Sequence, residues 1–303
     1  MRSYAVTDYA VLFRELAIPR LVGTPNHQKV REILKRELTA RGFTVEEHVF
    51  SGRPARALLG VPNSISGVNL IAQRSQAQAT LQGGNERPPI WLVAHYDSKG
   101  QPISMAVRLL GFGALLLGLL IVFLAPIAGV AFLVAGTGIA LLNRVNDISP
   151  GALDNATALV AVFMSIDQLP ADALVGVIFP DAEEYGLVGA RALALERRDL
   201  FSQSSVINLD SLDDTGRATA FVHRPGRFGV AVAHAVNARS WRWLPVIVDG
   251  IALGRVAREC VTIMKGNWRT MRAVHRPHDS IARLRLDGAA HVAAGLARVL
   301  RAV

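Results

Sequence analysis

The sequence contains one cysteine, Cys260, in 303 residues, so no internal disulfide can form and a thiolate metal cluster is excluded. Aromatic residues make up only 6%, and no basic run is interleaved with them. A nucleic-acid groove is therefore a poor explanation of the net charge of +9. The opening stretch, M-R-S-Y-A-V-T-D-Y-A, lacks both an apolar core and a cleavage site, so no secretory signal is read there. The largest absence is of charge over a long span: residues 109–142 contain no ionisable side chain.

That run is too long for a soluble core helix and too long for one comfortable membrane crossing. Pro126 divides it into 109–125 and 127–142. Each half extends about 25 Å as a helix, a little short of a hydrocarbon layer of roughly 30 Å. The expectation is a tight apolar helical hairpin, spanning with some thinning of the bilayer or inserted only part-way. Burying it inside a soluble protein would need a far larger partner domain. The chain then divides into a catalytic domain in two parts, 1–104 and 146–303, with the hairpin at 105–145 between them. Hydrophobic residues make up 51% of the chain, ample for a sizeable core.

Outside the hairpin, polar residues that pack poorly stand after apolar strands. Residues 174–179 (L-V-G-V-I-F) read as a strand covered on both faces, and P-D-A-E-E-Y-G-L-V-G-A follows with Glu183 and Glu184. Residues 90–94 (I-W-L-V-A) read as a second buried strand and end in His95-Tyr96-Asp97-Ser98-Lys99. A histidine there can bind a metal, with a carboxylate two residues on taking its other ring N–H. Residues 205–209 read as a third, ending in Asp210. Each group alone would pass as a solvated loop; three strands each ending in a potential ligand form a pattern, because open α/β sheets bind ligands at those ends. Between the second and third motifs, G-A-L-D-N-A-T carries Asp154 and Asn155, which alone would read as a helix cap.

Flanking elements are plainer. Thr24-Pro25 opens an amphipathic helix ending at Gly42. Residues 45–50 read as an edge strand, 67–72 as a further strand, 73–89 as a polar loop, and 245–248 and 261–264 as later strands. Trp268 is expected to pack. His275 and His278, in H-R-P-H-D-S, compete as ligands. His27, His48, His223, His234 and His291 are expected on surfaces or in structural hydrogen bonds. Asp287 opens a last amphipathic helix. The set His95, Asp154, Glu184, Asp210 and His275, with Glu183 left over, suits two divalent ions with N and O ligands and a carboxylate bridging them.

H-Y-D-S, G-A-L-D-N-A-T, E-E-Y-G-L-V-G-A, I-N-L-D and H-R-P-H-D-S, in this order, resemble the five signatures of the two-zinc exopeptidases of the bacterial leucyl aminopeptidase and glutamate carboxypeptidase type. The resemblance covers nearly the whole chain outside the apolar insertion. It implies an α/β fold in three layers: a mixed, largely parallel sheet with helices on both faces, here interrupted by the inserted hairpin. It also implies two zinc ions. Asp154 would bridge them, His95 and Asp210 would complete one shell, Glu184 and His275 the other, Glu183 would be the catalytic base, and Asp97 would support His95. The family's final motif favours His275 over His278.

The sequence departs from that pattern twice: the hairpin stands where the family has a short connection, and Asp249-Gly250 stands where members often carry Asp-His. If His95 and Asp154 reach one metal pair, the ends of the insertion lie together and any crossings are even in number. Lys99, Arg108 and Arg144 flank the insertion and its tip is uncharged, which places the catalytic domain on the cytoplasmic face of a membrane. The expected activity is removal of N-terminal residues from peptides, with a lipid bilayer as partner through 109–142. Two alternatives remain: a single-zinc glutaminyl cyclase, whose members share an H-Y-D-S-K string like residues 95–99, and a catalytically silent membrane scaffold.

Overall fold

A computed structural model describes residues 8–55, 59–74, 90–242 and 247–301. Two helices, α1 (Tyr9–Leu16) and α2 (Pro25–Ala40), precede an antiparallel pair, β1 (Phe43–Gly52) and β2 (Ile65–Arg74). The short strand β3 (Ile90–Val93) follows, and then two apolar helices, α3 (Met105–Ile121) and α4 (Pro126–Leu141). The chain continues through α5 (Thr157–Asp167), β4 (Val175–Phe179), α6 (Val188–Glu196), β5 (Ser205–Leu212) and β6 (Arg217–Arg224). It closes with α7 (Arg227–Ala235), β7 (Arg239–Trp241), α8 (Gly250–Leu253), β8 (Glu259–Gly266), α9 (Trp268–Ala273) and α10 (Asp287–Arg301).

The eight strands form one sheet in the order β1-β2-β4-β3-β5-β8-β6-β7. Its centre, from β4 through β3 and β5 to β8, is parallel, while β2 and β6 join antiparallel. Side chains of β3 show how the layers arise. Ile90 and Leu92 enter one apolar cluster with Leu34, Phe163 and Leu296, whereas Trp91 and Val93 enter another with Leu193 and Leu253. That alternation is the period of two of an extended strand. It puts α1, α2, α5, α7 and α10 on one face and α6 and α8 on the other.

The expected strands at 45–50, 67–72, 90–94, 174–179, 205–209 and 261–264 all appear, as does the Thr24-capped helix, whose Thr24 hydroxyl accepts the N–H of His27. Three expectations fall elsewhere. The loop at 73–89 and the strand at 245–248 lie largely or partly outside the described residues, and Ile247 and Val248 are not in a strand. Trp268 does not pack inside; it is 56% exposed at the start of α9. Among the other histidines, His27 is buried against Asp181, His48, His223 and His291 make hydrogen bonds, and His234 is exposed.

Helices α3 and α4 pack along each other through glycines. A methyl group on Gly118 would meet Leu133 Cγ at 2.8 Å, and one on Gly136 would meet Leu115 Cγ at 2.7 Å. Small residues allow this close approach of two apolar helices. Their outer faces are uncovered, and at the turn between them Phe123, Leu124 and Ile127 are 86–90% exposed. With 17 and 16 residues, no helix among the described residues is long and apolar enough to cross a membrane.

The two ends of this insertion meet, as a shared metal pair requires. Gly100 N–H donates to Asn146 O (2.6 Å) and Asn146 N–H donates back to Gly100 O (3.0 Å). The sheet therefore closes without the helix pair. Replacing residues 109–142 by a short Gly-Ser link is expected to leave a monodisperse protein whose far-ultraviolet spectrum loses helix and keeps strand. Aggregation of that protein in detergent-free buffer would show instead that the pair belongs to the core.

Candidate metal centre

The parallel strands β4, β3 and β5 lie side by side, so the turns leaving their C-terminal ends share one edge of the sheet. His95 leaves β3 with its side chain 2% exposed. Its Nδ1 faces the backbone oxygen of Asp97 at 3.2 Å and the Asp97 carboxylate at 3.4 Å, which turns Nε2 inward. Asp97, fully buried, has a second task. Its two carboxylate oxygens accept the N–H groups of Glu183 and Glu184, each at 3.1 Å, and so fix the turn after β4.

That turn is sharply bent. Ala182 has φ of 55° and Leu187 of 60°, a left-handed conformation that non-glycine residues adopt at a cost. Ser211, directly after Asp210, and His275 itself have φ of 50° and 65°. Strained backbone thus stands at or beside the ligand candidates from three separate segments.

Asp154 is brought in by a tight turn anchored from outside. The Asp279 carboxylate accepts the N–H groups of Leu153 (2.6 Å) and Asp154 (3.3 Å). Asn155 donates to Leu209 O at 3.1 Å and accepts from Ser211 N–H at 3.1 Å, tying the turn to β5 beside Asp210. Gly151, at φ 57°, lies where a Cβ would meet Asp154 O at 2.5 Å. The buried Arg20 guanidinium donates to Tyr96 O (2.7 Å), Pro150 O (2.6 Å) and Gly151 O (3.0 Å), clamping the β3 end to this turn.

Every candidate of the resembled set converges. One ligand atom each from His95, Glu183 and Asp210 lie within 4.8 Å of one another, and so do atoms from Asp154, Glu184 and His275. Asp154 stands between the groups: Oδ1 is 3.2 Å from His95 Nε2 and Oδ2 is 3.0 Å from His275 Nε2. The grouping differs from expectation in one respect, because Glu183 sits with His95 and Asp210. His278 is exposed and belongs to neither group, whereas His275 is buried.

Four participants were not assigned from the residues. Lys99 pairs with Glu184 Oε2 at 2.7 Å. Arg108, in the first turn of α3, donates from Nη2 to His275 Nδ1 at 2.7 Å. Ligating histidines usually present that second nitrogen to an acceptor; here it meets a cation. Asp249 is fully buried, and neither of its carboxylate oxygens has a hydrogen-bond partner. Arg20 is the fourth. Lys99 and Arg108 had been visible only as charges flanking the hairpin, and Arg20 carried no signal at all.

The charges set two neighbours against each other. Burial, reinforced by Glu184, Asp249 and Asp210 and opposed by His95, pushes Glu183 well above the usual carboxylate range. Against the same burial, His275 and Lys99 pull Glu184 down to about 2. Burial and Asp154 raise Asp210 to about 7. Burial, then Asp97, Asp210 and Glu184 against His95, raise Asp249 to about 8. Against burial, Glu183, Asp154 and Asp97 hold His95 well above its usual value. The cluster is short of positive charge.

Cations fit it. Glu184 Oε1 and His275 Nε2 are buried 3.0 Å apart, and neither makes a well-aligned hydrogen bond, so two atoms able to bind a metal stand side by side. Imidazole and carboxylate donors suit zinc. In the metal-free protein, Asp210 and Asp249, raised to about 7 and about 8, keep protons at pH values where carboxylates of the unfolded chain have already released theirs, and Glu183 and His95 are raised in the same direction. Folded-state proton excess means that stability falls as pH rises. The chelated protein is expected to melt at a lower temperature at pH 8 than at pH 5.5, and zinc should reverse the order by displacing those protons. Calorimetric melts at the two pH values check this; parallel behaviour with and without zinc would oppose it.

A model of peptidase family M28 matches residues 77–300. No curated protein matches the chain. Among solved structures, glutaminyl cyclase of Porphyromonas gingivalis superposes with a TM-score of 0.64 at 15% identity, covering 96% of this chain and 95% of that one. The zinc aminopeptidase of Bacillus subtilis gives 0.64 at 12%, covering 99% and 95%. The aminopeptidase of Aneurinibacillus sp. strain AM-1 gives 0.65 at 11%, covering 96% and 92%. At these identities the likeness shows the fold.

Proposed function

The chain belongs to peptidase family M28, and from that membership we propose that it is a two-metal aminopeptidase working at a membrane surface. The observation that carries the chemistry is the opposed pair Glu183 and Glu184. Adjacent carboxyl groups pushed apart in proton affinity take different roles: Glu184, held ionised, is a ligand, and Glu183, which prefers its proton, is the acid and base. His95, Asp210 and the Oδ1 of Asp154 would hold one ion; His275, Glu184 and the Oδ2 of Asp154 would hold the other. When bound, the ions supply Lewis acidity, which makes water a better nucleophile and the scissile carbonyl a better electrophile.

The remaining steps fall to side chains. Glu183 takes a proton from the attacking water and returns it to the leaving amine, and its raised proton affinity suits both directions. Asp97 keeps that carboxyl in place through the N–H of Glu183 and orients His95. The free α-amine of the substrate would be held near a metal or an acidic side chain. Dipeptides with a free N-terminus should therefore be cleaved and their N-acetyl forms resist. Mass spectrometry of the products checks this, and equal cleavage of both would remove the exopeptidase assignment.

A single-metal glutaminyl cyclase is the second reading, favoured by one feature. Lys99 on Glu184 and Arg108 beside His275 already supply positive charge where a second ion would sit. Formation of pyroglutamate from an N-terminal glutamine, with release of ammonia, would select it.

The lipid partner rests on the helix pair. Its uncharged run, its exposed tip and the cations Arg108 and Arg144 at its base support insertion part-way into a bilayer, with the catalytic domain on the cytoplasmic face. Arg108 joins that anchor to His275, so the metal centre would lie next to the membrane, and peptides or protein tails at its surface are the substrates proposed.

A further inference from the structure

Beside the foot of the helix pair is a cavity of about 580 Å³ that the metal centre does not use. One wall is the segment leading into α3, including Ser104; the other is α9 and the loop after it, with Arg269, Arg272, Arg276, His278 and Arg283. No lining residue is acidic. Arg276 is partly engaged, donating to Gln101 O at 3.0 Å and to Pro102 O. Arg283 pairs through Nη2 with Asp213, but its Nη1 is buried without a partner. Arg269 and Arg272 are exposed, and no carboxylate among the described residues pairs with either.

Of these four guanidinium groups only that of Arg283 has a carboxylate partner; the four repel one another, and an anion of matching shape relieves that. Guanidinium forks suit phosphate oxygens in pairs. The surroundings indicate where the phosphate comes from. α9 packs on α3, and Trp268, the first residue of α9, is 56% exposed. Ile281 on the same loop is 39% exposed. An exposed tryptophan beside arginines, at the base of apolar helices with bare outer faces, is the pattern of the headgroup layer.

We propose that this cavity binds the phosphate of an anionic phospholipid headgroup, with Arg269, Arg272 and Arg283 as its ligands. The proposal rests on the membrane reading of the helix pair, and adds to it a headgroup preference that an apolar anchor alone would lack. Basic pockets at the cytoplasmic ends of membrane-inserted helices are suited to such headgroups.

The test is flotation of the purified full chain with three kinds of vesicle: phosphatidylcholine alone, with phosphatidylglycerol, or with oleate at matched surface charge. The chain should bind all three, with an affinity about tenfold higher for phosphatidylglycerol than for oleate. Arg269→Gln with Arg272→Gln should remove that preference and keep binding to phosphatidylcholine, while Arg144→Gln, at the other foot of the pair, should keep the preference. Equal affinity for phosphatidylglycerol and oleate would overturn the phosphate site and leave the anchor standing. Failure to bind any vesicle would overturn the anchor itself. Protection of the lipid-free chain against thermal unfolding by inorganic phosphate, absent in the double variant, would reassign the cavity to a soluble phosphate. Loss of preference for peptides with a free C-terminus over amidated ones in the double variant would make it a substrate subsite.

Discussion

Glu183→Gln is expected to lower kcat for aminoacyl hydrolysis by about 10²- to 10⁴-fold, the usual contribution of a positioned acid and base, with metal content unchanged. The amide keeps the volume of the carboxyl group and its place after β4, because Asp97 holds the turn through backbone N–H groups. Only the capacity to accept and return a proton is lost. Such a variant loses kcat and kcat/KM together. Glu183 also lies within 4.8 Å of His95 and Asp210 atoms, so the competing outcome is concrete: if it is a ligand and no base, the variant releases metal and regains activity when metal is added in excess. Metal content and initial rates on one preparation separate these outcomes.

Asp154→Ala should have the other large effect, because one carboxylate serves both groups. With Oδ1 at 3.2 Å from His95 and Oδ2 at 3.0 Å from His275, its removal takes a ligand from each ion. Both should be lost, with affinity falling at least about 100-fold, beyond the loss typical of outer-shell changes. His95→Ala, by contrast, should weaken one ion and spare the other. The fold should survive, since the turn is fixed through backbone atoms by Asp279 and through Asn155 by β5. Equilibrium dialysis with zinc reads both variants. Full zinc loading of Asp154→Ala would show that it bridges nothing.

Much of this centre is legible in the sequence for a physical reason. Parallel strands buried on both faces must be continuous apolar runs, so residues 90–94, 174–179 and 205–209 stand out, and the polar residues directly after them have no packing role to explain them. The outer part of the sheet is less visible. β6 buries only Ala218 and Ala220 and β7 is exposed throughout, so neither stands out as a buried apolar run. The charges that tune the site are hidden for another reason. Arg20 acts through carbonyls of residues 96, 150 and 151, and Asp279 through the N–H groups of 153 and 154. These contacts cross long stretches of chain and leave no spacing to read. Lys99 and Arg108 look like membrane-flanking cations until the fold turns them onto Glu184 and His275.

The ends of the apolar insertion show the two levels agreeing. A metal pair shared by His95 and Asp154 requires residues on either side of the helix pair to meet, and Gly100 and Asn146 do so through two backbone hydrogen bonds. The helix pair can then extend from the rest of the fold without pulling His95 and Asp154 apart.

The most direct measurement is the number of metal ions bound per chain in the catalytically competent full-length protein, counted by plasma mass spectrometry against amino-acid analysis. Two per chain, both needed for cleavage of a free-amine dipeptide, is the result this arrangement of His95, Asp154, Glu183, Glu184, Asp210 and His275 predicts. Full activity with one ion, or with none, would contradict it.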